Sequence, residues 1–206
     1  MVVASAPPTT SGNSIDISTL KRWSLEDYHR LIELGILQPS DRTELIEGYL
    51  VTDMSAHNPA HAQVLRYAMM TVMTQVGDRG IVQYQLPISL AGDSQPEPDI
   101  AVVRPEVQRY AMAHPGPDDL SLLIEIASTT LKTDLTAKAN LYARNGIIDY
   151  WVIDVGDHHV WIHRQPSEDG YQEIIELEQP DVVQAIAPEL EGVEIDLRSP
   201  FPNAES

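Results

Sequence analysis

The chain has 206 residues, no cysteine and a formal net charge of −18. The absence of cysteine excludes disulfides, thiolate catalysis and cysteine-bound zinc. No apolar run approaches the ~20 residues that span a bilayer, and we expect a cytoplasmic protein with no membrane partner. The negative charge argues against a nucleic-acid-binding surface. However, 11 acidic residues and one arginine lie from Ser167 onward, so more than half of the excess charge is C-terminal.

The N-terminal half of the chain begins with a predicted tail. Residues 1–20 contain two prolines and no basic stretch, and we predict a flexible tail there, followed by a single domain over 21–200. Ser24 begins a helix, for which Gly35 is a stop signal. The segment TELIEGYLVTDM predicts a hairpin around Glu47–Gly48.

The next predicted helix begins at Asn58–Pro59, a cap followed by a first-turn proline. Its apolar residues recur at helical spacing, which predicts a face packed in the core rather than a cofactor site. Those residues are Val64, Leu65, Ala68, Met69, Val72, Met73 and Val76.

The remaining pattern is that of an α/β protein, because strands alternate with one further helix. IVQYQLPISL predicts a long strand, and PDIAVV and LSLLIEIA predict strands buried on both faces. A helix over 133–145 ends at Gly146. DYWVIDV and HHVWIHR then form a hairpin around Gly156–Asp157, and further short strands occupy the acidic C-terminal part.

Two carboxylates interrupt these apolar strands. Asp99 begins PDIAVV, and Glu125 lies inside LLIEIAS. A buried ionised carboxylate must be paired, hydrogen-bonded, neutralised or bound to a metal. If the two strands are neighbours, the carboxylates meet at one edge of the sheet, where hard oxygen ligands suit Mg²⁺ or Mn²⁺. Alternatively, Asp99 caps a turn and Glu125 pairs with a buried cation.

The runs ELIEG, PEPDIAVV, LLIEIAS and DLTAKANLYARNGIIDYWVID occur in this order along the chain. Together they resemble the restriction endonucleases of the Uma-two family, a branch of the PD-(D/E)XK nuclease superfamily, over about Leu25 to Val155. The resemblance implies a restriction-endonuclease-like core with a mixed sheet flanked by helices, extended here by C-terminal strands. It also implies Mg²⁺- or Mn²⁺-dependent hydrolysis of DNA, with Asp99 and Glu125 as metal ligands and Glu44 as an assisting acid.

The superfamily pattern has a lysine two residues after the third-motif acid, where this chain has Ala127. The resemblance suggests that Lys138, on the following helix, supplies the missing ammonium. Alternatively, Asp134 and Lys138 form a surface ion pair at i,i+4 spacing. Lys132, just before the helix, is a competing candidate.

Histidines are secondary candidates. His57 and His61 are four residues apart, but no third zinc ligand lies nearby in the sequence, so we expect His61 to cap the helix or to contact substrate. His159 and His163 share a strand face with Trp161, which favours an ordinary exposed strand over a metal site.

The expected function is that of a DNA endonuclease, and we expect a homodimer. Two other functions compete with the endonuclease. One is a non-catalytic binding or regulatory module on the same fold, favoured by the charge and by Ala127. The other is an RNA- or structure-directed nuclease. A basic groove would favour a nuclease, whereas scattered bases would favour the non-catalytic module. The bases in question are Lys132, Lys138, Arg104, Arg109 and Arg144.

Overall fold

The core of the protein is a six-stranded mixed sheet, seen in a computed structural model that describes residues 19–52 and 58–198. The strand order is β3–β4–β5–β6–β7–β8, in which only β5 and β6 are parallel neighbours. These strands are β3 (Ile81–Gln83), β4 (Ile100–Val103), β5 (Leu120–Ala127), β6 (Asp149–Asp154), β7 (Val160–Ser167) and β8 (Gly170–Leu177). The predicted α/β class with a mixed sheet is confirmed.

Two short antiparallel pairs accompany the sheet. The first is the predicted hairpin of β1 (Thr43–Ile46) and β2 (Tyr49–Thr52). Its turn residues, Glu47 and Gly48, have φ of 49° and 79°, which is the positive-φ geometry of a two-residue hairpin turn. The second pair is β9 (Val182–Gln184) with β10 (Glu194–Asp196), so the expected C-terminal strands are present.

Helices cover both faces of the sheet, which explains the continuous apolar runs in the central strands. The helix α2 (Pro59–Val76) packs against β3 and β5 on one face and also contacts β10, and α4 (Ala139–Arg144) lies against β7 and β8 on the other face. Alternate β5 residues enter the two cores, Ile124 on the α2 side and Leu123 on the α4 side. Glu125 and Ala127 therefore point towards α4.

The second sheet-covering helix is not uniformly α-helical. A short α3 (Leu131–Thr133) leads into a π-helical turn over Asp134–Lys138, which continues directly into α4. The Ala139 backbone N–H donates to the Asp134 carbonyl, five residues earlier. A π turn within a helix is often found at a functional site. The predicted helix ending near Gly146 is confirmed, but its π turn was not predicted.

The predicted helix starts are also confirmed. Ser24 accepts a hydrogen bond from the Asp27 N–H at the start of α1 (Leu25–Glu33). Asn58 accepts one from the His61 N–H at the start of α2. Of the α2 stripe, Val64, Ala68, Val72 and Val76 are buried, whereas Met73 is exposed.

The long strand predicted from IVQYQLPISL is wrong, because only Ile81–Gln83 forms a strand. Gln85 has a φ of 48°, which a strand does not allow, and its N–H donates to the Pro98 and Asp99 carbonyls. Pro87 has no N–H to donate to a neighbouring strand. The irregular segment therefore places Gln85 beside the N-terminal end of β4.

Several predictions lie beyond these observations. Residues 1–18 of the predicted tail and His57 lie outside the described residues. None of the helices in the described part of the chain has the length and apolar composition needed to cross a bilayer. Met70 and Met73 are exposed on α2, but the homodimer and the cytoplasmic location stay predictions.

Candidate active site

A cavity of about 370 Å³ lies where α1, the β1–β2 hairpin, the β4 and β5 ends and the π turn meet. Acidic side chains outnumber basic ones in its lining. The acidic residues are Glu44, Glu97, Asp99, Glu125 and Asp134, and the basic residues are Arg42 and Lys138. Every residue for which we expect a direct catalytic role lies in this one cavity.

Asp99 and Glu125 reach the cavity from neighbouring strands. β4 and β5 pair antiparallel, with Ile100 opposite Ile124. Asp99 stands just before β4 rather than inside it, as the residue where the irregular segment ends. Its Oδ2 accepts a hydrogen bond from the Ile126 N–H at 2.8 Å, so the backbone of the Glu125 strand holds the Asp99 carboxylate in place.

Gln85 is the second donor to Asp99, and sequence reasoning missed it. Its side-chain amide donates to Asp99 Oδ1 at 3.0 Å. This contact depends on the irregular backbone before Pro87, which no periodicity in the sequence indicates. Glu97 and Thr130 also line the cavity, and likewise no pattern in the sequence identifies them.

Lys138 extends from the π turn to the carboxylates of two different elements. Its Nζ lies 3.0 Å from Glu125 Oε1 and 3.1 Å from Glu44 Oε2. Lys138 and Asp134 are both buried, so the alternative of a surface pair between them is wrong. The ammonium lies beside Glu125, on the side of β5 where Ala127 also points, and the catalytic role we expect for it stays a prediction.

The environment of Glu125 disfavours ionisation of its carboxyl group. Burial raises its pKa well above the usual range, and Asp134, Asp99 and Glu44 raise it further, while Lys138 opposes the shift. The Tyr142 hydroxyl also donates to Glu125 Oε1, at 3.0 Å. The Lys138 ammonium therefore has to offset the charge of several acids.

Lys138 has the opposite preference. Burial alone would lower the pKa of its ammonium, but the charges of Glu125, Glu44 and Asp134 outweigh burial and raise it well above the usual value. The amine consequently stays protonated at neutral pH. It can stabilise negative charge, but it cannot take a proton as a general base.

Two further cavity acids, Asp99 and Asp134, differ from each other in their pKa shifts. Burial opposes ionisation of Asp99, but the nearby His61 ring and the hydrogen bonds from the Ile126 N–H and Gln85 together lower its pKa below the usual value. Burial raises the pKa of Asp134 to about 6, against the attraction of Lys138. Neighbouring acids with divergent pKa values are typical of catalytic sites.

Two secondary candidates lie in different environments. His61 is buried, with Nε2 3.8 Å from Asp99 Oδ1, so it supports Asp99 rather than presenting its ring to a ligand in solution. Its backbone N–H, not its ring, takes part in the helix cap. Lys132 is exposed and does not line the cavity, which leaves it poorly placed to replace Lys138.

The exposed strand expected around His163 is wrong. Its ring is buried, with ring centroids 5.2 Å from Tyr150 and 5.4 Å from Tyr171. β7 is covered at this point by β8 and α4, which the sequence pattern of β7 alone does not show. His159 is less buried and lies 3.5 Å from Glu176.

The candidate bases do not form a groove. Arg109 pairs with Asp119 at 3.1 Å, and Arg144 pairs with Glu47 on the hairpin turn. Neither arginine lines the cavity, nor do Lys132 and Arg104. Scattered bases of this kind favour the non-catalytic module.

The donor set fits a hard divalent cation, although the carboxylates are not already gathered around a metal position. Within 19–52 and 58–198, no three His, Asp or Glu side chains stand as a ready cluster. Asp99 and Glu125 nevertheless present carboxylate oxygens to one cavity. Mg²⁺ commonly uses one or two carboxylates and keeps several waters, so these residues suffice.

A mixed sheet flanked by helices, with a buried acidic cavity at the ends of two central strands, defines an α/β protein of nuclease-like fold. A crystal structure described as "a putative nuclease belonging to DUF820 from Anabaena variabilis ATCC 29413" is similar, with a TM-score of 0.67 and 18% identity. The match covers 86% of this chain and 97% of that one. No curated protein matches the chain.

The family model Uma2, described as "Putative restriction endonuclease", matches residues 25–198. The chain therefore belongs to the Uma2 family. The resemblance read from the sequence motifs is thus confirmed, and the match extends beyond Val155 through the C-terminal strands.

Proposed function

We propose that this protein is an endonuclease that hydrolyses phosphodiester bonds in DNA with the help of Mg²⁺ or Mn²⁺. The observation that carries the proposal is the convergence of Glu44, Asp99, Glu125 and Lys138 on one cavity, although Glu44 and Lys138 are separated by 94 residues in sequence. Membership of the Uma2 family supports the same chemistry.

Each cavity residue has a role that follows from its environment. Asp99, whose pKa is lowered, and Glu125 would hold the cation. When bound, the cation supplies a more acidic water and offsets phosphate charge. Lys138, which stays protonated, would orient the attacking water and stabilise charge on the phosphoryl oxygens. Glu44 accepts the Glu97 N–H at 2.9 Å and would hold Lys138 in position.

The test is cleavage of plasmid and oligonucleotide DNA with Mg²⁺ or Mn²⁺, combined with titration calorimetry of Mn²⁺. Asp99→Asn should lose both cleavage and metal binding. The matched control is Asp119→Asn, because Asp119 is also buried and hydrogen-bonded to backbone but does not line the cavity. Equal Mn²⁺ binding by wild type and Asp99→Asn would refute the metal site.

A non-catalytic binding module is the second candidate function. The specific observation in its favour is the cavity charge, five acids against two bases, with Lys138 already ion-paired. This module would bind a ligand without turnover. Absence of cleavage by wild type on single-stranded and duplex DNA and RNA, with either metal, would make it the better account.

A further inference from the structure

The cavity has an apolar part that the proposed chemistry does not use. Ile32 on α1, Leu37 and Pro39 after it, and Val51 on β2 line the same space as the acids. Ile32 is 43% exposed, so its side chain is available to a ligand. Hydrolysis of a phosphodiester needs no such surface, and these side chains therefore indicate contact with another part of the substrate.

The size and charge of the cavity limit which substrate can enter. Its volume of about 370 Å³ is near the lower end of the ~300–1,000 Å³ that small-molecule pockets occupy. A DNA duplex carries one negative charge per ~1.7 Å of axis. Among the described residues, only Arg42 and Lys138 bring positive charge to the cavity lining. The cavity therefore suits one nucleotide better than a duplex surface.

We propose that the cavity takes one nucleotide of an unpaired DNA strand, with the base against Ile32 and Leu37 and the phosphate towards Lys138 and Arg42. This inference rests on the proposed endonuclease function and names its substrate class. An apolar surface receives an unstacked base, as in other enzymes that act on single nucleotides. Ile32 is thereby a specificity-determining residue.

Ile32 on α1 and Ile36, three residues after the end of α1, make a matched pair of variants. Ile36 is 61% exposed and does not line the cavity. Ile32→Ser removes apolar surface from the proposed base position, whereas Ile36→Ser makes the same chemical change outside it. Leu37→Ser is a second variant within the cavity, and thermal melting of all three checks that they fold.

The experiment measures binding to a labelled DNA strand of about eight nucleotides by fluorescence anisotropy in EDTA. The wild type should bind this strand at least about tenfold more tightly than the matched duplex. Ile32→Ser and Leu37→Ser should weaken binding to it by about three- to tenfold. Ile36→Ser should match the wild type. A strand of abasic units should bind weakly and equally to all four proteins.

Three results would overturn the inference: no measurable binding to the single strand, equal or tighter binding of the duplex, or the same loss in Ile32→Ser and Ile36→Ser. Because the measurement excludes metal, it is independent of hydrolysis. Base-dependent binding without cleavage would refute the proposed endonuclease function alone. Cleavage that prefers the duplex would refute this inference alone.

Discussion

Two neighbouring strands of the sheet each carry a buried carboxylate, and the two are stabilised in different ways. Asp149, at the start of β6, is fully buried. It accepts hydrogen bonds from Trp151 Nε1 at 2.7 Å, from Arg164 Nε at 3.1 Å and from the Ile186 N–H at 3.1 Å. Asp149 thus has a cation of its own and ties the segment after β9 to the sheet.

Glu125, on β5, has no cation of its own. It shares the Lys138 ammonium with Glu44 and is also close to Asp99 and Asp134, both of which raise its pKa. Burial alone therefore does not separate the candidate site from a structural carboxylate in this protein. The number of acids that share each cation distinguishes the cavity site from the structural one.

The largest expected effect is that substitution of Glu125 reduces activity, whereas substitution of Asp149 reduces stability. Glu125→Gln should reduce DNA cleavage by about 100-fold or more while leaving the free energy of unfolding unchanged or higher, because it relieves acid crowding. Asp149→Asn should instead lower the free energy of unfolding by roughly 3–5 kcal/mol, because Arg164 loses its buried partner. Plasmid cleavage and urea unfolding measure the two quantities.

The comparison fails if both variants lose stability by similar amounts, since Glu125 would then be structural in the same sense as Asp149. It also fails if Glu125→Gln cleaves as well as wild type. Cleavage should be measured below the unfolding temperature of Asp149→Asn, so that lost folding is not counted as lost chemistry.

The second prediction concerns the shared cation. Lys138→Met should abolish cleavage, and it should also cost about 2–4 kcal/mol at pH 8 because two buried carboxylates lose their partner. The loss should be smaller at pH 5, because burial raises the pKa of Glu125 and favours its protonated form there. Lys132→Met is the control, since Lys132 is exposed and should change stability by less than about 0.5 kcal/mol.

If Lys132→Met loses cleavage while Lys138→Met retains it, the exposed lysine is the catalytic cation. Unchanged stability in Lys138→Met would mean that its ion pairs with Glu44 and Glu125 contribute nothing net to folding.

The third prediction is a pH dependence. The folded pKa of Asp134 is about 6 against an ordinary value of 3.8, so the folded state binds the proton more tightly than the unfolded state. Stability from this group is therefore greatest at low pH and falls as pH rises from about 4 to 6, by on the order of 2–3 kcal/mol. Urea unfolding in EDTA across this range measures the loss.

Asp134→Asn should remove this part of the pH dependence and stabilise the protein at pH 7. Asp118→Asn, at an exposed position, should leave the profile as in wild type. A profile for Asp134→Asn that still falls between pH 4 and 6 by the same amount would assign the dependence to another group.

The smallest expected effect concerns an exposed carboxylate on the same hairpin as Glu44. Glu47 pairs with Arg144, and both side chains are more than one-third exposed. Glu47→Gln should change the free energy of unfolding by no more than about 1 kcal/mol, less in high salt. A loss of unfolding free energy as large as that of Asp149→Asn would show that exposure does not determine how much each acid contributes to stability.

Sequence patterns predicted much of this fold, because the strongest elements repeat one physical signal. Continuous apolar runs identified β4, β5 and β6, and the cap at Asn58 identified the start of α2. The same contrast pointed to the candidate site, since a charged residue such as Glu125 stands out inside an apolar strand. Local signals of this kind need no knowledge of the rest of the chain.

The remaining site residues depend on contacts between distant segments. Gln85 reaches Asp99 because its backbone has a positive φ before Pro87, and Glu97 and Arg42 border the cavity only after the hairpin folds over the strand ends. The ion pair between Lys138 and Glu44 likewise requires the tertiary fold. On α1, the apolar side chain of Ile32 is exposed rather than packed in the core, because this stretch of α1 borders the cavity.

The π turn at Asp134–Lys138 sets the rotational position of the α4 residues that follow it. An α-helix advances about 100° per residue, and the wider turn delays that rotation before α4 begins. Lys138 and Tyr142 are four residues apart on one helix face and both contact Glu125 Oε1 at 3.0 Å, so the orientation of that face towards β5 depends on this delay. Deleting one residue of the turn, such as the exposed Ala137, would restore α-helical pitch and rotate one part of the helix against the other. The chain length between β5 and β6 is therefore part of the site, as much as the side chains are.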